Sequence, residues 1–298
     1  MSLNQVKSGV GHAGDVVLLR IVLLLTVLVG GCSSPPSPPP PAPSTPPTTT
    51  TTATTTTTTA TSPPLAAPAW VVGAKPLPLR PDGFGQVLPT PAPLVNRRLP
   101  TVDHRPPPSD GRFAATAEPV PAAVLARSTW RAECPVTAGE LRYLTMSFRG
   151  FDGRPHTGEM LVARSAADAV TRVFRSLYDA RFPIEEMRVV DAPELDAPPT
   201  GDGNNTTAFV CRAAVGQTRW SAHALGLAID VNPFNNPYIR DDLVLPELAS
   251  SYVDRSRVRP GMIQPGDAAI RAFAAIGWKW GGEWSTPLDL QHFSATGD

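Results

Sequence analysis

Residues 33–68 are almost entirely Pro, Ser, Thr and Ala, with threonine runs at 48–52 and 54–59. Such a stretch cannot bury enough apolar area to offset the entropy lost on ordering it. It divides the 298-residue chain and leaves core formation to the residues C-terminal to it. The 36 prolines fall mostly in the first half, whereas the C-terminal half is long enough to bury one core. The expected organisation is a targeting segment at 1–32, a Pro/Thr-rich linker at 33–68, a Pro-rich irregular arm at 69–125 and a globular domain at 126–298.

Lys7 and Arg20 flank an apolar run, Ile21–Val29, broken only by Thr26. It is too short to span a bilayer and suits the hydrophobic region of a signal peptide. It leads into Val29-Gly-Gly-Cys32, which resembles a bacterial lipobox, where cleavage frees the cysteine for lipidation. An ordinary secretory signal is the alternative. Both put the mature chain outside the cytoplasm. The lipidated form would sit on the outer membrane face or in the wall, with the linker as a stalk. The 26 basic and 26 acidic side chains cancel, so charge suggests neither nucleic acid nor a polybasic membrane patch. With Cys32 lipidated, Cys134 and Cys211 remain. An even pair in an exported domain favours a disulfide, worth roughly 4 kcal/mol on the chain-entropy model. Two buried thiols are the alternative.

Globular patterning begins near Trp130. Residues 141–148 alternate as a strand, Phe151-Asp-Gly153 marks a turn, and Glu159–Ala163 is the return strand. Ser165 is expected to cap a helix carrying Val170, Val173, Phe174 and Leu177, which Pro183 ends. Met187–Val190 reads as a strand, 191–205 as a polar loop and Phe209–Arg212 as a short extended piece. A second helix covers Asp267–Ile276, with Gly277 as its C-cap. The order implies an α+β domain, a small antiparallel sheet with flanking helices.

Ser221-Ala-His-Ala-Leu-Gly-Leu-Ala-Ile-Asp230 holds the chemistry. After Gly226, Leu227, Ile229 and Val231 alternate with Ala228, Asp230 and Asn232, a short strand with one apolar face. Gly226 permits the positive-φ turn that folds His223 back toward Asp230. An imidazole and a carboxylate converging make two-thirds of a zinc site, and His292 near the C-terminus offers the third ligand. Three protein ligands leave a position for water, and a general base must then reach that water. Asp289, three residues before His292, suits the role if 289–292 bends. Glu283 is a weaker rival, because no spacing ties it to the metal.

Ser221-x-His223-x2-Gly226-x-Ala228-x-Asp230, with Trp280-Gly-Gly-x-Trp284 and Asp289-x2-His292-Phe293, resembles the zinc D-alanyl-D-alanine carboxypeptidase superfamily. That superfamily includes the L-alanyl-D-glutamate endopeptidases, and Asp rather than Glu at 289 is similar to this branch. The resemblance covers about residues 137–298. It implies a D-Ala-D-Ala peptidase/Hedgehog-like fold and a Zn2+ ion on His223, Asp230 and His292. It further implies Asp289 as catalytic base, Arg212 stabilising the substrate carbonyl and Ser221 on the substrate side. The substrate would be the stem peptides of peptidoglycan, cut within the stem, with L-Ala-D-Glu the first expectation and D-alanyl-D-alanine carboxypeptidase the alternative. Ala222 departs from the usual Gln or Glu, which touches substrate contacts and not the metal set.

Two other classes fit parts of the pattern. Two histidines and a carboxylate also make the facial triad of non-haem iron oxygenases, though export and a placed base argue against it. A non-catalytic cell-wall-binding module would be expected to lack a ligand or the base. Elsewhere, His156 reads as a surface residue in a turn, His104 as solvated, and Trp278, Trp280 and Trp284 as core rather than sugar-stacking aromatics. Asn204-Asn-Thr-Thr207 fits a peptide contact or a plain loop, and Asn232–Tyr238 a rigid turn shaping one cleft wall.

Overall fold

The computed structural model describes residues 70–297. The expected targeting segment with Cys32 and the Pro/Thr-rich linker lie outside the described residues. In chain order, the Pro-rich arm contributes α1 (Ala92–Val95), β1 (Ala115–Glu118) and α2 (Ala122–Arg127). The alternating run becomes β2 (Leu141–Arg149), which turns at Gly153, φ +77°, into β3 (Pro155–Ala163). β2 and β3 are antiparallel, with Leu144 opposite Met160 and Arg142 opposite Val162, and β1 pairs with the other edge of β2.

Helix α3 (Ala167–Asp179) lays Val170, Val173, Phe174 and Leu177 on this sheet. Phe174 and Leu177 are each 1% exposed, so each contributes roughly 1.5–3 kcal/mol by burial. Ser165 does not cap the helix. The chain leaves β3 through a tight turn, and Ala166 occupies the N-cap without a side-chain bond. Nor does Pro183 end it: Arg181 adopts φ +55° and the Phe182 N–H reaches back to the Leu177 carbonyl. Met187–Val190 forms no strand. It runs beside β3 with Glu159 N–H on the Met187 carbonyl, but the Arg188 N–H is diverted to the Asn205 side chain. Phe209–Arg212 is likewise outside any strand and bridges β3 to the His223 turn, Phe209 donating to Leu161 and Val210 to His223.

The expected single sheet is three small antiparallel ones among the described residues. The second has the order β4 (Ala228–Asp230), β9 (His292–Ser294), β7 (Lys279–Trp280). The third has the order β6 (Leu243–Leu245), β5 (Tyr238–Arg240), β8 (Leu288–Asp289). Helix α4 (Ala268–Ala274) forms within the expected span, with Asp267 accepting from the N–H groups of Ala269 and Ile270, but it ends early: its C-cap is Ala275, and Gly277 follows two residues later at φ +81°. Its Phe273 stacks on Phe293 of β9, ring centres 3.9 Å apart. Cys134 and Cys211 are bonded, their Cα atoms 5.9 Å apart, amid Leu141, Tyr143, Leu161 and Phe209.

The arm joins the core. Leu94 is fully buried with Phe234, Val244, Leu248 and Tyr252, and Trp70, Leu77, Val87 and Leu99 pack around them. Arg97, 1% exposed, makes a bidentate pair with Glu185, Nε–Oε2 2.7 Å and Nη2–Oε1 2.6 Å. Its guanidinium lies over Phe234 at 4.4 Å, and Asn204 donates to the same carboxylate at 2.9 Å. Breaking a buried pair on one side leaves an uncompensated charge. Arg97→Met should therefore lower the unfolding free energy by about 3–5 kcal/mol in urea titrations of the chain. A loss below about 1 kcal/mol, the level of an exposed pair, would show that the arm is held elsewhere.

Candidate metal centre and its cleft

His223 is presented by a single 3-10 turn, Ala222–Leu225. Ser221 caps it, its Oγ accepting from the His223 N–H at 3.2 Å. Gly226 ends the turn at φ +67°, and a Cβ there would lie 2.4 Å from the Ala163 nitrogen. Only glycine allows both that backbone and that approach to β3. The chain then enters β4, where Ile229, and Val231 just after it, go into the core, while Asp230 emerges on the other face. Across the β4–β9 ladder the residue directly opposite Asp230 is His292. Register pairing thus joins side chains 62 positions apart.

The three ligating atoms form a near-equilateral triangle. His223 Nε2 lies 3.2 Å from Asp230 Oδ1, His292 Nδ1 lies 3.1 Å from the same oxygen, and the two nitrogens are 3.2 Å apart. Corners of a tetrahedral zinc shell with bonds near 2.0–2.1 Å are about 3.3 Å apart. His223 Nδ1 sits 2.6 Å from the Ala208 carbonyl, which can only accept. Nδ1 therefore carries the proton and Nε2 presents its lone pair, as a metal ligand requires. Burial alone would push the Asp230 carboxyl upward; the electrostatic pull of the adjoining His223 and His292 outweighs it and holds Asp230 well below the usual carboxylate range. The donor set fits a divalent zinc.

Asp289 reaches the same place from another sheet. It ends β8, opposite Tyr238 of β5; the chain bends at Leu290 and Gln291 and starts β9 at His292. The expected bend is present, and the Trp280 indole N–H holds it by donating to the Leu290 carbonyl at 2.9 Å. Asp289 is 8% exposed, and its buried Oδ1 has no hydrogen-bond partner among the described residues. Burial, with the Asp230 charge adding to it, pushes its carboxyl up to about 7. An orphaned acceptor beside three metal ligands suits a water that the metal would orient.

All four line a cleft of about 620 Å³, together with Arg212, Ser221, Tyr238 and Trp284. Arg212 donates to the Ala213 carbonyl at 3.1 Å. The Ser221 hydroxyl is already engaged in capping the His223 turn. The tryptophans divide. Trp278 and Trp280 are core, whereas Trp284 is on the cleft wall, its ring 5.4 Å from that of His292. Glu283 is exposed and is not among the lining residues. His156 is not a surface residue: it is 6% exposed, stacked on Phe148, with Nδ1 2.8 Å from Asp103 and Nε2 3.2 Å from Asp152. His104 is half exposed, 3.5 Å from Glu186. The Asn204 side chain serves the buried network rather than the cleft.

Residues 215–295 match the family model for D-alanyl-D-alanine carboxypeptidase. This supports the zinc D-Ala-D-Ala peptidase superfamily that the motifs resemble, and with it a hydrolase of the peptidase class. The match includes His223, Asp230, Asp289 and His292, leaves Arg212 outside, and spans less than half of the chain. No curated protein and no solved structure matches. Within this peptidase segment, sequence reading passed over Leu245-Pro246-Glu247 as cleft lining and gave Tyr238 no more than a place at the end of a turn. The signal for Tyr238 is its pairing with Asp289, which only the sheet reveals.

The raised Asp289 carboxyl has a thermodynamic consequence. Between its ordinary value near 4 and about 7, the folded chain keeps a proton that the unfolded chain has lost. The metal-free protein should thus lose stability as pH rises from about 4 to about 7, more than Asp289→Asn does. Added zinc should remove that difference, since a nearby cation stabilises the ionised carboxylate. Thermal unfolding of both proteins across this range, with chelator and with zinc, checks it. Parallel pH profiles without metal would count against the assignment.

Proposed function

We propose that this chain hydrolyses peptide bonds in peptidoglycan stem peptides, using a zinc ion held by His223, Asp230 and His292. The observation that carries the reading is the His223–Asp230–His292 triangle in one cleft with the unpartnered Oδ1 of Asp289. Bound zinc would polarise the scissile carbonyl and lower the pKa of its water to near neutrality. Asp289 then accepts the proton of the attacking water and passes it to the leaving amine. Arg212, on the cleft wall, donates to the carbonyl oxygen as negative charge grows there. Ser221 acts mainly by holding the turn that aims His223.

Stem peptides alternate L and D centres, so chirality must be read by the cleft walls. The Asp289-x2-His292 pattern favours cleavage within the stem, L-Ala-D-Glu first. The description of the matched family favours the second reading, D,D-carboxypeptidase. A lipid anchor on Cys32 and the Pro/Thr-rich stalk would carry the domain from the outer membrane face into the wall.

Asp289→Asn should still hold about one zinc per chain, because Asp289 is not a ligand, and should lose about 10²–10⁴ in turnover. An undiminished rate would move the base elsewhere. The bond is decided by amidating the terminal D-Ala carboxylate of a defined stem peptide and following products by mass spectrometry. An endopeptidase should cut it at nearly the unmodified rate. Loss of cleavage, with free D-Ala released from the unmodified peptide, would establish the carboxypeptidase.

A further inference from the structure

Across the third sheet, Asp289, Tyr238 and Leu245 stand in register on β8, β5 and β6. Directly opposed residues project from the same face of a sheet, and all three line the cleft. The row acts as a ruler. Two strand spacings put Leu245 about 10 Å from Asp289, roughly three residues of an extended peptide. Just beyond Leu245 comes Glu247, also on the cleft wall.

Glu247 is 4% exposed, yet it lacks the compensation a buried carboxylate normally has. Its Oε1 accepts one neutral donor, the Gly85 N–H of the arm, at 2.8 Å. Among the described residues no Lys, Arg or His pairs with it, and Oε2, which accepts no hydrogen bond there, keeps some exposure to the cleft. The contrast with Glu185 is direct: that carboxylate, equally buried, has a bidentate arginine and an asparagine. The arm holds Glu247 tightly. A Cβ on Gly85 would sit 2.8 Å from Oε1, and the Leu88 N–H donates to the Glu247 carbonyl at 3.4 Å.

We infer that Glu247 is a specificity residue that binds a primary ammonium group of the substrate, such as a diamino-acid side chain carries, some three residues from the scissile bond. The arm is then part of the recognition site, because Gly85 sets where the carboxylate points. This rests on the peptide-hydrolase reading but can be tested apart from it.

The test is calorimetric binding of two N-terminally acetylated peptides, L-Ala-γ-D-Glu-L-Lys-D-Ala-D-Ala and its Nε-acetyl-lysine form. The protein is the zinc-loaded mature chain carrying Asp289→Asn, so that the peptides stay intact. The free amine should bind at least about tenfold more tightly than the acetylated form, as expected for a charge-assisted hydrogen bond in a desolvated site. Adding Glu247→Gln, whose amide oxygen can still accept from Gly85, should bring the ratio close to one. Gly85→Ala, with the charge kept but displaced, should also reduce it. A ratio near one in the parent, a preference that survives Glu247→Gln, or no binding of the free-amine peptide overturns the assignment. Cleavage is scored separately with Asp289 intact. If the amine preference holds but neither peptide is cut, the peptidase reading fails and the Glu247 assignment stands.

Discussion

The facing of Asp230 and His292 across β4 and β9 is the contact on which the rest of the domain depends. Both strands are three residues long, too short to hold a register alone. Register comes from the faces they bury. Ile229 on β4, Val231 just after it and Phe293 on β9 enter the main core, and Phe293 stacks on Phe273 of α4. A slip of one residue would turn these apolar side chains outward and the metal ligands inward. Core packing and the metal site thus enforce the same alignment.

Around that pair the fold imposes close approaches rather than long elements. Gly226 is pressed against the backbone of β3, which fixes the His223 turn to the largest sheet. The Cys134–Cys211 bond fastens the segment that enters this turn, and Val210 N–H donates to the His223 carbonyl at 3.4 Å. Trp280 clamps the bend between Asp289 and His292. Each device holds the approach to one functional side chain, which local helix or strand propensity could not do at these lengths.

Much of this was legible where the signal is local. The Gly226 turn, the β2–β3 hairpin, the Asp267 cap of α4 and the bend at 290–291 all follow from residues within a few positions of one another. The cysteine pair was legible by counting. What escaped depends on distant partners. Arg97 sits in a Pro-rich arm that reads as irregular although it carries α1 and β1; its buried role exists only because Glu185, Asn204 and Phe234 come to it. His156 looks like a turn residue, yet Asp103 from the arm covers it. Ser165 fails as a cap because the exit from β3 places Ala166 there instead. Tyr238 and Glu247 gain their places from the third sheet, whose strands of two or three residues have too short a period to detect.

The electrostatics of the cleft would couple a bound metal to Asp289. Asp230 and Asp289 are two carboxylates close enough for the charge of one to raise the other, and both are largely withdrawn from water. Without a cation, Asp289 tends to hold its proton near neutral pH and so cannot accept another. A divalent ion on the His223–Asp230–His292 triangle would reverse the balance, favouring the ionised form, which could accept a proton from water. Metal binding and proton release would then be linked, and affinity for the ion should depend on pH through Asp289, which is outside the three-residue cluster. The sheet arrangement makes this coupling possible. By placing Asp289 at the end of β8 and His292 at the start of β9, on either side of the two-residue bend, the chain puts Asp289 beside the His223–Asp230–His292 cluster, where it would be near a bound metal without being one of the three ligand groups.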